Sequence, residues 1–280
     1  MSFQALLDSL PIGGVFAGFA VVALIMYEGG YRFGRWWQER TPDEKEGPTS
    51  MLVGSLLALM GFLLAIATGM AADRFDTRRG IVLSEANSIG TTFLRAGYLP
   101  QPASGEIRDL LREYVPLRLV AANDPADVRT RMARSVELHA KLWSIAEGLA
   151  RTTPESDVLA LFIDSLNETM DLHETRVTAG VYARVPMTVI VLLLLGSMLT
   201  LGMVGYNAGL TRRRSPLTGV VMIVVLGAVI TLVIDLDRGR DGFLKVSQQP
   251  LTDLQEQIGA GGGASVDHPR PAGDEPPAGR

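Results

Sequence analysis

Four stretches of this sequence contain no aspartate, glutamate, lysine or arginine, and they constrain the fold more than any other feature. They are residues 12–27, 51–72, 185–211 and 215–234. Because an α-helix rises 1.5 Å per residue, about 20 apolar residues cross the ~30 Å hydrocarbon core of a bilayer. Three of the stretches are long enough on their own, and the first becomes so when residues 29–31 extend it. The sequence therefore predicts an integral membrane protein with four transmembrane helices.

The rest of the chain carries all of the charged side chains, in the proportion that is usual for a soluble protein. This segregation excludes a disordered chain and disfavours an ordinary soluble enzyme. The formal net charge of −4 gives no basic balance that would indicate a nucleic-acid partner. The chain has no cysteine, which excludes disulfides, thiolate metal sites and cysteine nucleophiles.

The predicted fold class is all-α, with an extramembrane helical hairpin or bundle between two pairs of transmembrane helices. Five parts are expected: 1–72 with spans at about 12–31 and 51–72, an extramembrane domain at 73–184, 185–236 with spans at about 186–206 and 216–235, a juxtamembrane segment with a short amphipathic helix at 237–258, and a disordered tail at 259–280. The first span lacks a basic flank and a small-x-small cleavage site before Tyr31, so we interpret it as a span rather than a signal peptide.

Helical patterns fill the extramembrane part. Residues 81–99 are expected to continue the second membrane helix, and 106–122 form a shorter helix that contains Pro116. The next helix begins at Pro125. A further helix, capped by Thr153, is expected to run into the third membrane helix at Pro186. In the amphipathic piece near the C-terminus, Leu251, Leu254 and Ile258 share one side.

Basic residues in the short loops predict the orientation in the membrane. Loop 28–50 contains Arg32, Arg35, Arg40 and Lys45, and loop 205–215 contains Arg212, Arg213 and Arg214, whereas the first eleven residues contain none. The protein is expected in a bacterial cytoplasmic membrane. Both loops should face the cytoplasm, and both termini and residues 73–184 should lie on the outer side. Further basic residues at 74–79 and 238–245 oppose this assignment, so the cytoplasmic side stays open as the alternative.

Small residues recur every four positions in the second span, at Gly61, Ala65 and Gly69. Such spacing allows two helix backbones to approach closely in lipid. We predict a helix-packing seam at these three residues, although glycine and alanine are also simply frequent in transmembrane helices.

Charged residues cluster where the second and fourth spans leave the lipid. They are Asp73, Arg74, Arg78 and Arg79 after the second span, and Asp235, Asp237 and Arg238 after the fourth. One interpretation is an Asp–Arg network that fixes the register of the two helices at the headgroup level. The other is a ring of arginines around an oligomer axis, which would attract anions. A polar stripe at 85–92 either lines a water-filled vestibule or is an ordinary solvated face.

Patterns of catalysis are absent from the sequence. His139 and His173 belong to no metal-binding motif, and a packed histidine is the expected role of His173. The glycine run 259–263 follows no strand and precedes no G-K-[ST], and no nucleophile elbow is present. We predict no catalytic residue, no cofactor and no metal site.

Two segments resemble the bacterial bestrophin-like domain family. They are residues 61–100, with Arg74…Arg78-Arg79 and Glu85-Ala86-Asn87-x-Ile89-Gly90-Thr91, and residues 235–254, with Asp235-x-Asp237-Arg238 and Gln248-Gln249-Pro250. The resemblance implies a homo-oligomer with an ion pathway along its axis, lined by the second helix. The aromatic neck and acidic calcium clasp of true bestrophins have no counterpart here, and the bulk of those proteins is cytoplasmic. Among the candidate residues of the ion pathway, we therefore name only the matched residues at the membrane border.

Three hypotheses follow for function. The first is a homo-oligomeric membrane protein that passes small inorganic ions, with a preference for anions. The second is a non-conducting interaction or sensory protein whose helical hairpin binds a partner. The third, an enzyme that acts on a lipid or envelope substrate, would need a buried polar cleft that the sequence does not reveal.

Overall fold

Helices account for the secondary structure of this chain. A computed structural model describes residues 7, 9–41, 46–119, 125–181, 184–212, 216–238 and 242–260, and no strand occurs among them. The helices are α1 (Ile12–Arg40), α2 (Glu46–Ala96), α3 (Ala103–Arg118), α4 (Pro125–Thr152), α5 (Asp157–Val181), α6 (Met187–Leu210), α7 (Pro216–Arg238) and α8 (Gln249–Ala260). The predicted all-α class is confirmed.

Four of these helices are long and apolar enough to cross a membrane. They are α1, the segment Pro48–Ala96 of α2, α6 and α7. The four predicted spans are therefore confirmed, although α1 and α2 continue well beyond their uncharged stretches. Helix α2 has 51 residues, which corresponds to a length of roughly 75 Å.

The chain divides into two compact units. One contains Met1–Val82 and Leu172–Ser247, and the other contains Leu83–Asp171 and Gln248–Arg280. The first unit holds the four uncharged stretches around one hydrophobic core. Each spanning helix contributes buried side chains to this core, among them Phe19 and Ala23 of α1, Met60, Leu64 and Ala67 of α2, Leu193 and Leu201 of α6, and Ile223 and Ile230 of α7.

Within the first unit, α1 packs against both α6 and α7. It runs parallel to α6, because Gly30 lies against Gly202 and Gly34, one turn later, lies against Tyr206. It runs antiparallel to α7, because the ring of Tyr27 covers Gly219 and the ring of Phe19 covers Gly227. The C-terminal ends of α1 and α6, both followed by predicted basic loops, consequently lie at the same end of the bundle.

The second unit has its own apolar core outside the uncharged stretches. Its fully buried side chains include Ile89, Ile107, Leu111, Leu138, Leu142, Phe162, Leu166 and Leu251. The amphipathic pattern near the C-terminus is confirmed, since α8 buries Leu251, Leu254 and Ile258. Arg112 of α3 fixes this helix by donating from Nε to the carbonyl oxygen of Ile258 at 3.0 Å.

The predicted helix at 106–122 instead runs Ala103–Arg118, and both predictions about the ends of α5 were wrong. The cap of α5 is Ser156 rather than Thr153, because the Ser156 hydroxyl accepts the backbone N–H of Leu159 at 3.3 Å. Helix α5 ends at Val181 and does not continue into α6, since residues 184–186 are not helical. Pro186 explains the break, because a proline disfavours helical geometry at the residue before it. The predicted tail lies, from residue 261 onwards, outside the described residues.

Candidate functional site

The charged residues at the membrane border form a junction around the C-terminal end of α7. Arg78 of α2 donates to the backbone carbonyl oxygen of Asp237 at 3.0 Å and to that of Leu236. The last carbonyls of a helix lack partners within the helix and carry the negative end of its dipole. Arg78 therefore supplies hydrogen-bond donors to two of the free carbonyl groups at the end of α7.

The two aspartates of this junction bind backbone N–H groups. Asp237, only 5% exposed, accepts the N–H of Val185 at 2.6 Å, which fixes the chain just before α6. Asp235 accepts the N–H groups of Phe243 and Leu244 at 2.9 and 3.0 Å, and so folds the segment after α7 back onto the helix end. A Cβ at Gly242 would lie 1.9 Å from Oδ1 of Asp235, so a larger residue there would have to displace this carboxylate.

Arg238 completes the junction from the other side. Its guanidinium donates to the carbonyl oxygen of Leu10 at 2.7 Å and to that of Leu7. The end of α7 thus holds four other parts of the chain through side-chain to backbone hydrogen bonds: α2, the segment just before α6, the segment before α1 and the segment after α7 itself.

Charges of both signs act on Arg78 at this junction. Asp237 attracts Arg78, whereas Arg184 and Arg74 are close enough to repel it. Arg74 and Arg78 are partly buried, while Asp73 and Arg79 are exposed. The predicted arginines therefore have different environments, since Arg78 binds the end of α7 and Arg79 is exposed.

The position of each arginine around the axis of α2 accounts for this difference. Eighteen residues correspond to about five helical turns, so residues that far apart lie on the same side of a helix. Arg78 lies 18 residues after Met60, which is 3% exposed and belongs to the core. Arg79 lies 18 residues after Gly61, which is exposed.

The predicted seam at Gly61, Ala65 and Gly69 makes no helix contact in the described part of the chain. All three residues are exposed, and a Cβ built at Gly61 or Gly69 meets no atom within 4 Å. The seam stays a prediction, because the described residues supply no partner for Gly61 or Gly69.

A different set of glycines brings two helices together. We call it the α1–α6 glycine interface: Gly30 and Gly34 of α1 with Gly205 and Gly209 of α6. A Cβ at Gly205 would lie 2.0 Å from the carbonyl oxygen of Tyr27, and one at Gly34 would lie 2.2 Å from that of Tyr206. The four-residue spacing in each helix is the sequence signal that could have identified this interface.

The polar stripe at 85–92 lies in the second unit, where some of its side chains are buried and others are exposed. Glu85, Ser88 and Thr92 are buried, whereas Asn87 and Thr91 are exposed, so a solvated face was wrong for the first three. Glu85 pairs with Arg118 at 2.6 Å. Thr92 donates to the carbonyl oxygen of Ser165, and Ser88 shares a hydrogen bond with Thr169, both at 2.9 Å.

The two histidines of the helical region are both at least partly buried. His173 is 2% exposed, as expected for a packed side chain. Burial, with a smaller effect of Arg118, lowers the pKa of His139 to about 4, so this side chain is neutral at physiological pH. No group of histidine and acidic residues suited to a metal ion occurs in the part of the chain that the structure describes.

Comparisons with known proteins agree with this architecture. Residues 14–251 match the Bestrophin-like domain, while no curated protein sequence matches the chain. The fold is similar to crystal structures of a bacterial bestrophin homologue from Klebsiella pneumoniae. A mutant of it has a TM-score of 0.66 at 14% identity over 90% of this chain and 99% of that one. A structure solved by zinc phasing has a TM-score of 0.60 at 15% identity over 87% and 94%. The chain therefore belongs to the Bestrophin-like domain family.

Proposed function

We propose that this protein assembles into a homo-oligomer and conducts small ions, preferring anions, along a path lined by α2. Membership of the Bestrophin-like family supports an ion pathway. The observation that carries the proposal is the uncovered small-residue face of α2, which ends at Arg79. In the same proposal the protein lies in a bacterial cytoplasmic membrane.

The stripe of small residues on α2 differs from the large apolar side chains exposed beside it, such as Phe62 and Ile66, at 62 and 45% exposure. Exposed positions on α6 and α7 carry large apolar side chains such as Leu195 and Leu199 on α6 and Val225 on α7, at 65, 57 and 54% exposure. Gly61, Ala65 and Gly69 expose nothing larger than a methyl group. Glycine and alanine expose backbone and leave space, which suits either a neighbouring helix or a path along an axis better than contact with acyl chains.

Arg79 gives this face its positive charge. It lies on the same side of α2 as Gly61, and no hydrogen bond or ion pair engages it among the described residues. Repeated in each copy around an axis, its guanidinium would form a ring that raises the local concentration of anions. Asp76, about one turn earlier, lies near the same side and works against this preference.

Replacing Arg79 with glutamate is expected to reduce or reverse the preference for anions. A unit charge near an ion in water contributes on the order of 1 kcal/mol, so the Cl⁻/K⁺ permeability ratio should fall by about five-fold or more. The measurement is the reversal potential of the purified protein in planar bilayers under a KCl gradient. Asp76→Asn should shift the same potential in the opposite direction.

Arg151→Glu is the matched control, because Arg151 is an exposed arginine at the end of α4. It should leave the reversal potential unchanged. If Arg79→Glu and Arg151→Glu behave alike, Arg79 does not line the path. If a well-folded oligomer passes no current under any gradient, conduction itself is rejected and the non-conducting interaction protein becomes the better hypothesis.

The proposed orientation places the basic loops inside and the second unit outside. The absence of native cysteines allows single cysteines to be introduced without removing any others. Ser144 and Ser50 are both exposed, and serine to cysteine is a small change at each. In intact cells, a membrane-impermeant maleimide should label Ser144→Cys and not Ser50→Cys. The opposite pattern would invert the orientation.

A further inference from the structure

An apolar groove lies between α1 and α6 on the surface of the first unit. Its volume is about 460 Å³. Its floor is made by Gly29, Gly30 and Gly202, and Ile25, Phe33 and Leu199 form its walls. We propose that this groove binds one acyl chain of an anionic phospholipid, whose headgroup is held by Arg40.

The groove exists because glycines remove the side chains from its floor. Gly30 and Gly202 are in backbone contact, since a Cβ at Gly30 would lie 2.0 Å from the carbonyl oxygen of Gly202. A Cβ at Gly29 would instead meet no atom within 4 Å. The two helices thus touch beneath an open channel that no side chain of the described residues fills.

Lipid is the occupant that the walls favour. Ile25, Phe33 and Leu199 are 64, 55 and 57% exposed, and they lie on two helices that span the membrane. The lining is apolar apart from Tyr206, and burying a polar group against such walls would be costly. A flexible hydrocarbon chain fills the groove without such a cost.

Arg40 supplies the charge for a headgroup at one end of the groove. It follows Phe33 by seven residues, about two turns, and therefore lies on the same side of α1. Its guanidinium carbon lies 3.7 Å from the ring centroid of Trp36. Helical side chains lean towards the N-terminus, so the cation is held at the level of the aromatic residues, where phospholipid headgroups lie.

The other arginines of α1 are already paired. Arg32 lies 3.3 Å from Glu28, and Arg35 lies 3.5 Å from Glu39. Arg40 has no carboxylate partner among the described residues, so its charge is available to a lipid phosphate. Basic positions beside a cleft between transmembrane helices favour anionic over zwitterionic headgroups.

The test is lipid binding to the purified full-length protein. Native mass spectrometry would follow the titration of phosphatidylglycerol and of phosphatidylcholine with identical acyl chains. We expect the native chain to bind phosphatidylglycerol about five-fold more tightly. Arg40→Gln should reduce the binding of phosphatidylglycerol to the level of phosphatidylcholine. Gly29→Leu places a side chain in the groove at a position where a Cβ meets no atom within 4 Å, and it should weaken the binding of both lipids.

Matched controls keep the result specific. Gly18 of α1 is exposed and also has no atom within 4 Å of a built Cβ, so Gly18→Leu adds the same side chain outside the groove. Arg35→Gln removes a paired arginine from the same helix. Both should bind lipid like the native chain.

Two outcomes would overturn the proposal. One is unchanged phosphatidylglycerol binding in Gly29→Leu. The other is oxidative cross-linking between copies through Gly29→Cys, which would show that a second copy covers the groove. Lipid binding does not require ion conduction, so either can fail alone.

Discussion

Gly205→Leu is expected to leave almost no folded protein in the membrane. At this position the backbone of α6 meets that of α1, and a Cβ would lie 2.0 Å from the carbonyl oxygen of Tyr27 and 3.1 Å from the backbone nitrogen of Tyr31. Both neighbours are backbone atoms, so no rotamer change can make room. Even modest overpacking of a tight core costs about 1–3 kcal/mol, and a leucine here would separate the two helices along the whole interface.

A graded series distinguishes packing from a general intolerance of glycine substitution. Gly205→Ala should lower the thermal unfolding midpoint in detergent, and Gly205→Leu should abolish the monodisperse peak in size-exclusion chromatography. Gly18→Leu, on the open side of α1, should behave like the native chain in both measurements. A Gly205→Leu protein that is extracted in normal yield and unfolds at the native temperature would contradict the close α1–α6 contact.

The glycine interface also shows where sequence reasoning stops. Gly30 with Gly34 and Gly205 with Gly209 have the same four-residue spacing as Gly61, Ala65 and Gly69. Spacing identifies a face on which backbones can approach, but it does not say which helix supplies the partner. That choice depends on how four helices pack around one core, and in the described structure it favours α1 with α6.

The spanning helices themselves could be predicted, because the exclusion of charge from lipid is a strong constraint that acts on every residue of a span. Their ends were less predictable. Arg40 and Ala96 close helices that continue past the uncharged stretches, since helical hydrogen bonding persists in water when no breaker intervenes. The break between α5 and α6 depends on Pro186 and on a distant acceptor, Asp237, which takes the N–H of Val185.

The border residues were found by their position, but their separate roles were not. A sequence shows that Arg78 and Arg79 are adjacent, whereas the phase of α2 against its own core decides which one turns inward. Met60 and Ala67 are buried on the side of Arg78, and this side could be identified only once the packing of α2 was known. The same reason divides the polar stripe, in which Glu85 is buried and Asn87 is exposed.

Arg118→Met is expected to destabilise the second unit more than any single surface change. Arg118 ends α3, and its Nε lies 2.6 Å from Oε1 of Glu85 on α2, with 8 and 0% of the two side chains exposed. Methionine keeps the apolar stem and removes the charge, so a fully buried carboxylate loses its cationic neighbour. Breaking a buried ion pair from one side typically costs about 3–5 kcal/mol. The unfolding midpoint of the full-length protein should fall by about 10 °C.

The double variant decides whether the ion pair or another contact of the Arg118 guanidinium is responsible. Burying two charges carries a large desolvation penalty, and replacing both partners with apolar residues of similar volume is often nearly neutral. Glu85→Met combined with Arg118→Met should therefore recover most of the lost midpoint. Arg134→Met, which breaks the exposed pair with Glu113, should stay close to the native midpoint, because solvent screens surface pairs. If the double variant is as unstable as Arg118→Met, the contact of the Arg118 guanidinium with the ring of Tyr114 holds α3 in place, and the ion pair with Glu85 does not.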